Sequence, residues 1–150
     1  MFNEAFSNSM SASAPSAVSV GTAACPCGTG KTYIRCCEPL HQGRDAQDAL
    51  ELMRSRYTAY VIKASGYLLE TWHPTTRPPT LDLADRPGLR THWLGLQVIS
   101  HRLSDPQRAE VSFIARVKVG GGPAQRLAER SRFLWDEGRW YYVDGDIGPK

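Results

Sequence analysis

The sequence predicts an α+β protein: a small cysteine-rich unit, then helices, then a curled antiparallel four-stranded sheet. Three observations carry that prediction. All four cysteines lie between residues 25 and 37. From Ala46 to Val61, apolar residues recur at three- and four-residue spacing, the signature of one buried helix face. From Trp93 onward apolar and polar residues alternate, the period of strands with one covered face. Helices followed by a run of strands is the α+β order.

Length and composition narrow the choice. The chain has 150 residues, room for one domain and a small appendage. Hydrophobic residues make up 41% and charged residues 22%, the balance of an ordinary globular chain. The net charge of +3 is carried mostly by arginine, with no dense basic run, so the sequence does not call for nucleic-acid binding. No apolar run approaches the roughly 20 residues of a membrane span. The N-terminus has neither the basic nor the apolar region of a secretory signal. Clustered thiols without an export signal point to the reducing cytoplasm.

Residues 1–22 are rich in serine and alanine without periodicity, and a disordered tail is expected there. Residues 23–42 form the next unit. Cys25 and Cys27 flank Pro26, and after eight intervening residues Cys36 and Cys37 are neighbours. Zinc takes four ligands at tetrahedral corners, and thiolates supply them. Gly28 and Gly30 permit the left-handed turns that a short return loop needs, and Pro26 pre-sets the backbone between the first two ligands. The expected site is a structural Zn2+ on Cys25, Cys27, Cys36 and Cys37, with His41 as an alternative to Cys37. Tyr33 and Ile34 should begin a helical turn carrying the second cysteine pair, and Pro39 with Gln42-Gly43 should end the unit.

Three other readings of the cysteines fit less well. A disulfide between adjacent Cys36 and Cys37 would be strained, and nothing marks the chain as exported. A redox pair usually reads Cys-x-x-Cys, and here the spacing is Cys-x-Cys. Gly28-Thr29-Gly30-Lys31-Thr32 invites a phosphate loop, but Cys25 stands where that motif needs glycine, and no buried strand precedes it.

Residues 43–150 form the main domain. A helix is expected over residues 46–63, with Asp45 as N-cap and Asp48 completing a capping box. Ala46, Ala49, Leu50, Met53, Tyr57, Tyr60 and Val61 make its buried stripe; Arg54 lies off the stripe centre and Arg56 near the opposite side. A second helix over residues 65–72 turns Tyr67, Leu68, Leu69 and Trp72 inward and stops at His73-Pro74. A proline- and arginine-rich connection follows to residue 90, anchored by Leu81, Leu83 and Leu89. Strands are expected over residues 93–103, 108–120, 125–136 and 139–144, joined by turns at Ser104-Asp105-Pro106, Gly120-Gly121-Gly122-Pro123 and Glu137-Gly138. On the third strand Leu127, Phe133 and Trp135 face the core.

Two resemblances rest on these residues. Cys25-Pro26-Cys27-Gly28-Thr29-Gly30-Lys31, Tyr33 and Cys36-Cys37 resemble the SEC-C motif, the zinc knuckle also found at the C-terminus of the SecA translocase; Thr29 stands where serine is commoner. Leu52-Met53-Arg54-Ser55-Arg56-Tyr57, Thr71-Trp72-His73-Pro74, Trp93-Leu94-Gly95-Leu96, Glu129-Arg130-Ser131-Arg132-Phe133 and Gly138 to Gly145 are similar to the YchJ-like proteins, an uncharacterised bacterial family. The helix-then-sheet order resembles the cystatin-like cone of the nuclear transport factor 2-like (NTF2-like) superfamily. The resemblance implies helices on the concave side of the sheet with a pocket between them, and it leaves function open.

Alternation gives that pocket its candidates. If Phe133 faces the core, Glu129 and Ser131 share its side. A carboxylate there needs a cation or donor, and Arg54 and His73 are the expected partners, with Trp72 beside them. Such a group could be a structural ion pair, a ligand pocket or an acid/base centre; no catalytic residue is assigned, and enzymatic activity is left open. Two functions therefore compete. In the first, the zinc knuckle is a protein-interaction module, with Lys31 and Arg35 making its surface basic. In the second, the cone binds or transforms a small molecule at Arg54, Trp72, His73, Glu129 and Ser131.

Overall fold

The computed structural model describes residues 23–148; the tail expected over residues 1–22 lies outside them. A 3-10 turn at Tyr33–Arg35 leads into α1 (Glu38–His41), followed by α2 (Ala49–Val61) and α3 (Ser65–Glu70). Four strands complete the chain: β1 (Thr91–Asp105), β2 (Arg108–Val119), β3 (Gln125–Asp136) and β4 (Arg139–Ile147). They pair antiparallel in the order β1-β2-β3-β4, the expected meander. At the last hairpin Glu137 and Gly138 both take positive φ, 50° and 85°. That conformation matches the twist of the flanking strands.

The sheet curls because its outer strands carry irregularities. β1 shifts register three times against β2, and β4 carries an extra residue, Val143, opposite the Arg132–Phe133 step. Each bulge bends a strand and increases its twist. The concave face so formed holds α2. Ala49, Leu52 and Met53 pack there against Ala109, Val111, Phe133 and Trp140.

α2 differs from the single-stripe helix the sequence predicts. Every residue from Leu52 to Ala59 is buried except Arg54, which is half-buried. The sheet covers one side, α3 a second, through Ala59, Ala64 and Leu68, and the cysteine unit a third. The side that amphipathic spacing assigns away from the core is therefore not solvent. Its polar residues are satisfied internally: Ser55 Oγ donates to Leu52 O and lies 2.7 Å from Tyr67 OH. Arg56, expected near the opposite side, is buried at 5% exposure.

Smaller corrections have local causes. Asp48, not Asp45, caps α2 by accepting from Glu51 N at 2.8 Å, and Asp45 lies 3.6 Å from Arg139 instead. Pro39 sits in the first turn of α1 rather than ending the unit, since a missing N–H is harmless there. In the connection to β1, Leu81 and Leu83 pack on the α3 cluster as anchors, while Leu89 stays exposed. Trp135 has the expected parity but is 37% exposed, and it meets Trp140 edge to face.

Candidate functional site

The four cysteines meet at one point. Cys25 N donates to Lys31 O at 2.8 Å, closing the turn that carries the first pair, and Gly28 and Gly30 adopt φ of 85° and 88° within it. The 3-10 turn then delivers Cys36 and Cys37. All four Sγ atoms lie within 4.8 Å of one another, with Cys27 and Cys36 at 3.5 Å. Tetrahedral Zn–S bonds of about 2.3 Å set sulfur–sulfur edges of about 3.8 Å, so the donor set fits a metal ion of that size. Cys25, Cys27 and Cys37 are buried and Cys36 is half-buried.

Hydrogen bonding within the cluster moves the thiols in opposite directions. Hydrogen bonds from Cys25 and Cys37 hold the Cys27 thiol far below its ordinary range. Cys37 is pushed up by hydrogen bonds to Cys25 and Cys27, and Cys36 is pushed up to about 11 by burial. A divalent cation held by these sulfurs would ionise the thiols that coordinate it. Thr29 Oγ1 lies 3.1 Å from Cys36 Sγ and Thr58 Oγ1 lies 3.6 Å from Cys25 Sγ.

His41 is turned away from the cluster. Its Nδ1 lies 2.8 Å from Tyr33 OH and its Nε2 lies 2.9 Å from Ser55 O, so both ring nitrogens are engaged. Arg54 also belongs to this end of the molecule. Its Nη1 donates to Cys27 O at 2.6 Å, which ties α2 to the knuckle and corrects its expected place in the pocket. The reason is angular: Arg54 projects toward the knuckle side of α2, while Met53 and Tyr57 face the sheet.

Between α2 and the sheet lies a cavity of about 260 Å³. Glu129 and Ser131 line it, as alternation predicts. Glu129 Oε2 accepts from Ser131 Oγ at 2.6 Å and from Tyr142 OH at 3.3 Å. Neither Arg54 nor His73 meets it. His73 is buried at the edge of the sheet, where Nε2 is 2.8 Å from Asp136 Oδ2 and Nδ1 is 2.7 Å from Thr75 Oγ1. The backbone fixes it there, because His73 N donates to Tyr142 O just beyond the Trp72–Tyr142 bridge. Trp72 stands outside the cavity lining but within 5.2 Å of the Arg56 guanidinium.

Three cavity features were missed from the sequence. Arg56 lines the cavity, with its guanidinium 4.4 Å from the centre of the Tyr142 ring. Its signal was present: Arg56 falls three residues after Met53 and four before Tyr60, within the stripe spacing. Tyr142 faces inward because it pairs with Phe133 and alternates with Trp140; the Val143 bulge then brings Gly145 and Ile147 to the same face. Gly145 pairs with Ser131 and leaves the space that the Glu129 carboxylate fills.

Knuckle and cone together define a class, a SEC-C-type four-cysteine unit seated on an NTF2-like α+β cone. The model of the SEC-C motif matches residues 22–39, and that of the YchJ middle NTF2-like domain matches residues 48–145. A UPF0225 protein of Xanthomonas oryzae pv. oryzae (strain MAFF 311018) is 52% identical over 120 residues, covering 80% of this chain and 92% of the relative. One from Ralstonia nicotianae is 51% identical over 136 residues, covering 84% and 92%. The chain belongs to this UPF0225, YchJ-like family. Its fold is also similar to two solved structures. A SEC-C motif containing protein from Rhodopseudomonas palustris is 40% identical with a TM-score of 0.69, over 83% of this chain and 98% of that one. A SEC-C motif containing protein from Psychrobacter arcticus is 27% identical with a TM-score of 0.70, over 87% and 86%.

Proposed function

We propose that this chain is a zinc-stabilised adaptor. Cys25, Cys27, Cys36 and Cys37 hold one structural Zn2+, and the turn they lock is the contact site for a protein partner in the reducing cytoplasm. Four thiolates close a tetrahedral shell, so the metal keeps no position for water or substrate and takes no part in turnover. Residues 23–42 are the contact module, and residues 43–150 are the body that carries it. One observation supports the contact role. Ile34 is 51% exposed on the 3-10 turn, between the exposed cations Lys31 and Arg35. An apolar anchor flanked by cations on a metal-fixed backbone fits an acidic protein segment with an apolar residue of its own.

The test has two arms. Elemental analysis of the purified chain should find about one zinc per protein, and a metal-free native protein would end the zinc reading. Lysate capture with wild type, Ile34→Asp and Lys31→Glu/Arg35→Glu should lose the same partner in both variants while zinc content holds. Equal recovery by all three baits would end the contact reading.

A further inference from the structure

We propose that the cavity between α2 and the sheet binds a small amphipathic carboxylate, its anionic group on Arg56 and a hydroxyl or amine on Glu129. The inference is independent of the knuckle's role. Arg56 is 5% exposed and lines the cavity. Its Nη1 donates to Leu68 O at 2.8 Å and to Thr71 Oγ1 at 2.6 Å. Among the described residues, its Nη2 and Nε meet no acceptor and no carboxylate lies within ion-pair distance; Glu129, in the same cavity, acts on it at longer range. Trp72 and Tyr142 hold the guanidinium plane without neutralising it. Burial lowers its pKa to about 10, so the group keeps its charge at neutral pH. A buried cation with no carboxylate in contact is costly, and an anion seated directly against it lowers that cost.

The rest of the lining defines the remainder of the ligand. Glu129 Oε2 already takes two hydroxyl donors, from Ser131 and Tyr142, while Oε1 takes none from the described residues. It offers an acceptor to a ligand donor rather than a second anion site. Met53, Phe113, Leu127, Phe133 and Trp93 surround these groups with apolar and aromatic surface. At about 30 Å³ per displaced water, the 260 Å³ cavity exchanges roughly nine waters for a ligand of about a dozen non-hydrogen atoms.

The probes are p-hydroxyphenylacetate, phenylacetate and p-hydroxyphenylacetamide, titrated calorimetrically into the zinc-loaded full chain. The hydroxylated acid should bind at least tenfold tighter than the neutral amide, and phenylacetate severalfold weaker than the hydroxylated acid. Leu127→Trp, which fills the cavity and leaves Arg56 in place, should abolish binding. If that variant fails to fold, the acid–amide comparison on the wild-type chain still decides. Equal binding of acid and amide overturns the proposal. So does binding that survives in folded Leu127→Trp, or no binding by any probe at about 1 mM.

Discussion

Removing the metal proposed for the four cysteines should destabilise the whole molecule, not the cysteine unit alone. Cys25, Cys27 and Cys37 belong to the same buried cluster as Tyr57 of α2 and Ala115 of β2, and α1 adds Leu40, 2% exposed. Re-exposing Leu40 and Tyr57 would cost about 1.5–3 kcal/mol each. Losing the Arg54 bond to Cys27 O would cost about 1.5–3 kcal/mol more, because its donor is charged and half-buried. The His41 contact with Ser55 O adds about 1 kcal/mol. The loss rivals the roughly 5–15 kcal/mol that holds a domain together. Urea unfolding of the metal-loaded chain and of Cys27→Ser, followed by tryptophan fluorescence and by far-ultraviolet circular dichroism, measures it. Trp93, edge-on to Tyr57 at 5.7 Å, reports on the junction. Both signals should move together to a much lower midpoint in Cys27→Ser. A cone transition that keeps its wild-type midpoint would refute this coupling and make the knuckle a separable appendage.

Two further outcomes are expected. Burial holds the His41 imidazole below its ordinary value of 6.5, so the unfolded chain takes up this proton more readily than the folded one. Its contribution to stability is full above that value and falls as pH drops below it; His41→Gln should flatten that loss in thermal melts, and an unchanged slope would show that other groups set it. At Gly145 an added Cβ would run into the Glu129 carboxylate and lie 3.1 Å from Arg130 O. Gly145→Ala should therefore cost about 1–3 kcal/mol in the wild type and clearly less in a Glu129→Ala background, and equal costs in a double-mutant cycle would place the strain elsewhere.

Much of this architecture was legible because its causes are local. Four thiols at Cys25, Cys27, Cys36 and Cys37 need only turn-forming glycines between them to converge, and Gly28 and Gly30 supply the positive φ. Period-two alternation put Glu129 and Ser131 on the face of Phe133, since side-chain phase along an unbroken strand is a backbone property. The fold class followed from the same periodicities.

What tertiary structure alone decided is which neighbour covers each face. The sequence marks one stripe on α2, but α3 and the knuckle cover the remaining sides, and that turned Arg56 from an expected outward residue into the buried cation of the cavity. It also sent Arg54 to the carbonyl of Cys27 and His73 to Asp136, where the sequence paired both with Glu129. Such pairings join residues far apart in the chain, through the packing of helix on sheet and on the cysteine unit. Helical spacing and strand alternation report which side a residue occupies on its own element. They carry no information about what the rest of the chain brings to that side.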